Sequence, residues 1–92
     1  YRFINLSSFP VYVKFGEERF KLDQRSDRTM ETDFQESGGQ SIAMAIQVSE
    51  QANDVKLAYS SSWSVRPGRS ALVFVTTVPS KDEHIEVKKL YY

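Results

Sequence analysis

Hydrophobic and polar residues alternate at period two along most of this 92-residue chain, and the pattern predicts about eight short β-strands. Residues 2–6 form the first. Pro10 withholds an N–H, so the 7–10 link ends where a strand can begin or where an edge lies. Val11, Val13 and Phe15 then share one face, with Tyr12 and Lys14 on the other. Gly16-Glu17-Glu18 supplies a short reversal, and 19–22 returns with Phe20 and Leu22 inward, the clearest hairpin signal in the sequence. Residues 23–27 read as a polar loop in which Asp27 can cap a turn. Alternation resumes over 28–34 with Met30, Thr32 and Phe34 in phase, and 36–40, with its paired glycines, is expected to be a loop.

Patterning is stronger in the second half. Over 41–49, Ile42, Met44, Ile46 and Val48 share one face and Ala43, Ala45 and Gln47 the other, where the small residues suggest that something packs closely. Residues 50–54 form a polar connection; a short helix over 49–58 is the weaker alternative, because Asn53-Asp54 interrupt it. From residue 55, Val55, Leu57, Tyr59, Ser61, Trp63 and Val65 fall on one face, and Lys56, Ala58, Ser60, Ser62 and Ser64 on the other. Arg66-Pro67-Gly68-Arg69 has turn chemistry, with Pro67 fixing φ and Gly68 accepting a positive one. The following strand, 70–78, runs Ala71 to Val75 without alternation, which predicts a central strand covered on both faces. Residues 79–83 break the pattern. A last strand over 84–92 has Ile85 and Val87 in phase, while Leu90-Tyr91-Tyr92 drops out of it, so a bulge near Lys88-Lys89 or fraying is expected.

Composition supports the sheet reading: β-branched and aromatic residues together far outnumber Leu plus Ala. The fold predicted is one all-β domain spanning 1–92, an antiparallel β-sandwich of 7–8 strands, immunoglobulin-like, with a small β-barrel as the alternative. Phe20-Lys21-Leu22 before one turn and Trp63-Ser64-Val65 before another form a faint internal echo. Edges at 2–6 or 84–92 are candidates for pairing between chains, with Lys88 and Lys89 as protection.

Charge and residue inventory narrow the chemistry. Lys plus Arg and Asp plus Glu balance at 12 each, so the cationic face that a nucleic-acid binder needs is not expected. No apolar run reaches the ~18 residues of a membrane span, and no signal peptide is apparent. A chain that begins at Tyr1 is expected to be a processed form or a piece of a longer protein. Without Cys there is no disulfide, no thiolate nucleophile and no cysteine-ligated zinc, and with a single His a blue-copper centre is excluded. Alternation places Asp82, His84 and Glu86 on one strand face, which reads as a solvated strand start rather than a metal site. No serine lies in a nucleophile elbow, and Glu17-Glu18 sits in a wet turn where nothing would raise a pKa. Gly38-Gly39 lacks the Lys-Ser/Thr of a phosphate loop. No catalytic residue, metal or cofactor is assigned, and the protein is expected not to be an enzyme.

Surface remains. Tyr12, Lys56, Ser60, Ser62 and Ser64 are the candidate interaction residues, Tyr12 because it points away from its strand's apolar face and the others because their face is unusually small. The partner expected is another protein chain or a neighbouring domain. A polysaccharide stacked on Tyr12, Tyr59 or Trp63 is the alternative, although the phase of Trp63 assigns it to the core. Asn5-Leu6-Ser7 matches the glycosylation acceptor pattern.

The opening Arg2-Phe3-Ile4-Asn5-Leu6-Ser7, with Phe9-Pro10-Val11-Tyr12-Val13 and Gly16, resembles the start of bacterial secreted or envelope β-sandwich domains. Arg66-Pro67-Gly68-Arg69-Ser70 is similar to the Pro-Gly turn before a core strand in immunoglobulin-like bacterial modules. The resemblance implies an extracytoplasmic, non-catalytic module (periplasmic, cell-surface or secreted) and carries over no site residues.

Overall fold

Strands that alternate apolar and polar residues must bury one face, and here two four-stranded sheets bury theirs against each other. The computed structural model describes residues 1–31, 37–49, 51, 54–78 and 84–92. In chain order the strands are β1 (Arg2–Asn5), β2 (Val11–Phe15), β3 (Glu18–Leu22), β4 (Asp27–Thr29), β5 (Gly38–Gln47), β6 (Val55–Val65), β7 (Ala71–Thr77) and β8 (Ile85–Tyr91). The first sheet has the order β4-β1-β7-β8 and the second β3-β2-β5-β6. The result is an all-β sandwich of two open sheets rather than a closed barrel. Every pair is antiparallel except β1 with β7, which run parallel from Arg2 opposite Leu72 to Asn5 opposite Val75. Among the described residues there is no helix, and so none long and apolar enough to cross a membrane.

The core joins both sheets. Phe3 and Val73 from the first meet Phe15, Ile42, Met44 and Trp63 from the second, all buried. Asn5, fully buried, ties the sheets through polar bonds instead. Its Nδ2 donates to the carbonyls of Phe9 (2.8 Å), Leu22 (3.1 Å) and Asp23 (3.2 Å), the last two at the end of β3. Its Oδ1 accepts from the backbone N–H and hydroxyl of Ser7, at 3.0 and 2.6 Å. The Asn5-Leu6-Ser7 triplet is therefore a turn that fixes the crossing from β1 to β2, and its amide nitrogen is enclosed in the fold.

The hairpin signal at 15–18 is realised with a two-residue loop. Phe15 pairs with Glu18, and Gly16 has φ +61°, the left-handed value a tight hairpin asks of its first loop residue. Its N–H also donates to Ser41 O at 2.9 Å. Gly16→Ala would both strain φ and push a Cβ into the Gln40 side-chain amide, which can move aside. A loss of about 1–2 kcal/mol is expected, read from the urea midpoint at unchanged slope. Gly68, at φ +76°, likewise completes the 66–69 turn, whose Arg69 N–H reaches Arg66 O at 3.3 Å.

Several expectations need correction. Gly38, Gly39 and Gln40 are not a loop but the start of β5, paired with Val65, Ser64 and Trp63. A Cβ on Gly39 would stand 3.1 Å from Ser62 Oγ, whereas the space beside Gly38 is open. The 28–34 strand is represented by β4, Asp27–Thr29; Met30 packs on the core, whereas Thr32 and Phe34 lie outside the described residues. β7 is an interior strand as expected, but its two faces differ: Ala71, Val73 and Val75 are buried while Leu72 and Phe74 stay half-buried on the outside. Residues 2–6 are no edge, since β1 lies between β4 and β7. β8 is an edge, and its register with β7 runs unbroken from Ala71–Tyr91 to Thr77–Ile85, so no bulge occurs there. Lys89, not an apolar residue, occupies the inward position opposite Val73, which is why the apolar phase seemed to fail.

The internal echo has a structural counterpart. Phe20 and Trp63 lie on β3 and β6, the two edges of the second sheet, and each is capped by a cation from the opposite sheet's edge. Arg28 of β4 lies 5.1 Å from the Phe20 ring centre, and Lys89 of β8 lies 4.5 Å from that of Trp63.

Candidate functional site

Cross-strand partners point to the same side of a sheet, so the register defines what the second sheet shows to solvent. Its outer rows are Lys21, Tyr12, Ala45 and Leu57, then Arg19, Lys14, Ala43 and Ser60. Toward either end lie Gln47 with Val55, Ser41 with Ser62, and Gly39 with Ser64. No carboxylate belongs to these rows. Ala43 and Ala45, being small, leave an open depression of about 450 Å³ floored by themselves and walled by Tyr12 and Leu57, with Lys14, Arg19 and Lys21 along one side.

Each wall has a cause. Tyr12 stands out because β2 turns Val11, Val13 and Phe15 inward, and its hydroxyl reaches Gln47 Oε1 at 3.3 Å. Lys21 Nζ sits 5.6 Å from the Tyr12 ring centre and 3.5 Å from an Asp23 carboxylate oxygen. Lys14 and Arg19 are exposed, and among the described residues neither forms an ion pair. Leu57 is 64% exposed.

Leu57 arrives there through an irregularity that period-two reading missed. Met44 pairs with Tyr59, but the next residue, Ala45, pairs with Leu57, leaving Ala58 as an extra residue in β6. The bulge flips the phase. Residues Tyr59 to Val65 keep the expected alternation, whereas Val55 and Leu57 turn to the outside and Lys56 falls opposite core residue Ile46. Of the predicted surface residues, Tyr12, Ser60, Ser62 and Ser64 therefore share the outer face and Lys56 does not. Lys14, Arg19, Lys21, Ala43, Ala45 and Leu57 complete it. The small outward residues Ala43 and Ala45 were the sequence signal for this place, and no sequence signal marked Leu57.

The three rings considered for a saccharide, Tyr12, Tyr59 and Trp63, do not share one surface. Trp63 is 2% exposed, with its indole N–H donating to Tyr59 Oη at 2.9 Å. Only Tyr12 among the three proposed rings stands in the depression, and the Lys21 ammonium lies near its ring. Elsewhere, burial pushes the Tyr1 phenol up, with Tyr91 adding to the effect and Arg69 opposing it. That group belongs to the core at the far end of the sandwich and keeps its proton through neutral pH. Among the described residues no three His, Asp or Glu side chains gather as a metal site; Asp82 lies outside them. Comparison with protein-family models, curated proteins and solved structures finds no match.

Proposed function

We propose that this chain is a non-catalytic protein-interaction module of an extracytoplasmic bacterial protein, and that the outer face of its second sheet receives an extended partner segment carrying aliphatic and acidic residues. The observation that supports this reading is the depression itself. An apolar floor that no strand among the described residues covers is joined there to three cations, of which Lys21 has Asp23 beside it and Lys14 and Arg19 have no ion-pair partner among the described residues. Apolar side chains would fill the space over Ala43 and Ala45 between Tyr12 and Leu57, and carboxylates would meet Lys14, Arg19 and Lys21. The resemblance of the opening strands and the Pro-Gly turn to envelope modules supports the location.

Exposed ion pairs contribute only modestly, roughly 0.2–1 kcal/mol each, so binding is expected to be weak and salt-dependent. The test is a fluorescence-anisotropy titration of a labelled peptide of alternating Leu and Glu. The wild type is expected to bind it more tightly than a Leu/Lys peptide and to lose affinity as salt rises. Lys14→Glu combined with Lys21→Glu should lower affinity tenfold or more without moving the thermal midpoint. Equal binding of both peptides, or indifference to the double substitution, overturns the assignment. Binding of a neutral oligosaccharide in their place returns the function to the polysaccharide alternative.

A further inference from the structure

We infer that β6 pairs edge to edge with β6 of a second copy of this chain, antiparallel about Ser62, so that the two second sheets join into one of eight strands. The inference rests on the strand edge and not on the acidic-segment reading of the outer face.

A sandwich of two open sheets has four edges, and three of them are guarded in this fold. β3 carries Glu18, Arg19 and Lys21; β4 is three residues long and carries Asp27 and Arg28; β8 carries Glu86, Lys88 and the inward-pointing Lys89. Short edges, edge charges and inward charges are the ordinary barriers to strand addition. β6 differs. It has 11 residues, and the regular part beyond the bulge, from Tyr59 to Val65, holds neither charge nor proline.

Its free backbone groups can be placed from two hydrogen bonds. Gly16 N–H donates to Ser41 O at 2.9 Å, and Gln47 N–H to Pro10 O at 3.0 Å, so odd-numbered residues of β5 turn their peptide groups toward β2. In an antiparallel ladder, residues opposite these are wide pairs whose own groups point the other way. Gly39, Ser41 and Ala43 lie opposite Ser64, Ser62 and Ser60. The N–H and C=O of these three serines therefore project off the edge of the sheet, and no strand among the described residues meets them.

The occupant follows from symmetry and charge. Ser62 is the midpoint of Tyr59 to Val65 and is one of the three outward-pointing residues, so a two-fold axis there sets Ser62 against its copy and Ser60 against Ser64. Each of these pairs would exchange two N–H···O bonds. On the outer face serine meets serine without crowding. On the inner side Trp63 would meet the smaller Ser61, and Tyr59 would meet Val65. The stretch from Tyr59 to Val65 carries no charge of its own to select a charged foreign strand, the Lys89 ammonium lying behind it over the Trp63 ring, and the chain's formal charge of zero opposes no second copy. An interface this narrow belongs to the weak class below ~1,200 Å², so high concentration is needed to populate it.

Sedimentation equilibrium up to roughly 1 mM, in the range where millimolar affinities register, tests the inference together with amide exchange at low and high concentration. The wild type is expected to show a monomer–dimer equilibrium, with the Ser60, Ser62 and Ser64 amides gaining protection as concentration rises. Ser62→Pro removes an N–H that β5 does not use, and Ser62→Lys sets like charges against each other at the axis. Each should weaken self-association at least tenfold while leaving the circular dichroism spectrum unchanged. A wild type that stays monomeric throughout overturns the inference. So does a dimer that survives Ser62→Lys, or protection of these amides that appears only when a different protein is added.

Discussion

Trp63→Ala is expected to destabilise the protein by about 4 kcal/mol, within the range for emptying an aromatic core position. The side chain is 2% exposed and sits where the two sheets meet. Its ring stacks at 6.3 Å and 13° on Phe3 of the first sheet and approaches Phe15 edge-on at 5.5 Å. Truncation would open a cavity between β1, β2 and β6, remove the partner of Tyr59 Oη and leave the Lys89 ammonium over empty space. A domain of this size has roughly 5–14 kcal/mol in total, and each kcal/mol corresponds to about 4–8 °C. The variant should therefore melt some tens of degrees lower, measured by far-ultraviolet circular dichroism because the indole is gone. The same burial predicts blue-shifted Trp63 emission in the wild type that polysaccharides leave unchanged. A red-shifted emission that moves on glycan addition would contradict the core assignment.

Asn5→Ala is the second large effect, about 3 kcal/mol, and its origin is polar. Removing the side-chain amide takes the donor from three carbonyls and the acceptor from Ser7, with Asn5 and Ser7 themselves buried and the Phe9 and Asp23 carbonyl bonds partly so. Buried groups left without partners cost about 1–3 kcal/mol apiece, and Asn5 also holds the start of the β1–β2 link against the end of β3. Ser7→Ala should cost less, about 1 kcal/mol, since the backbone N–H of residue 7 keeps its acceptor. Urea unfolding of the two variants and the double variant checks the order. Additive losses, with no coupling, would contradict a shared network.

How much of this was legible depended on whether the determinant was local. β2, β3 and the Gly16 reversal were readable because each side chain's direction follows from its neighbours at period two, and Gly16 serves a conformation that few other residues adopt. Trp63 was placed in the core by the same count. Lys56 was misplaced because the extra residue at Ala58 shifts the phase without disturbing the apparent alternation, Val55 and Leu57 being apolar on whichever side they fall. Gly38 and Gly39 were misread because their pairing partner is β6, far along the chain, and a ladder with Val65 and Ser64 holds them extended whatever freedom glycine has. Lys89 disguised an unbroken register, since an inward lysine over an aromatic ring looks polar in one dimension. Asn5 looked like a modification acceptor because the carbonyls it serves, at Leu22 and Asp23, are far away in sequence. The depression was half legible: Ala43, Ala45 and Tyr12 pointed to it, whereas Arg19 and Lys21 entered only once β3 was set beside β2.

The proposal that the second sheet's outer face docks a partner is tested most directly by mapping amide shifts in a ¹⁵N-labelled sample as the alternating Leu/Glu peptide is added. Shifts concentrated on Tyr12, Lys14, Lys21, Ala43, Ala45 and Leu57, and lost in the Lys14→Glu, Lys21→Glu variant, are expected from this geometry. Shifts confined to the outer face of the first sheet, around Leu72 and Phe74, or spread evenly over both sheets would contradict it.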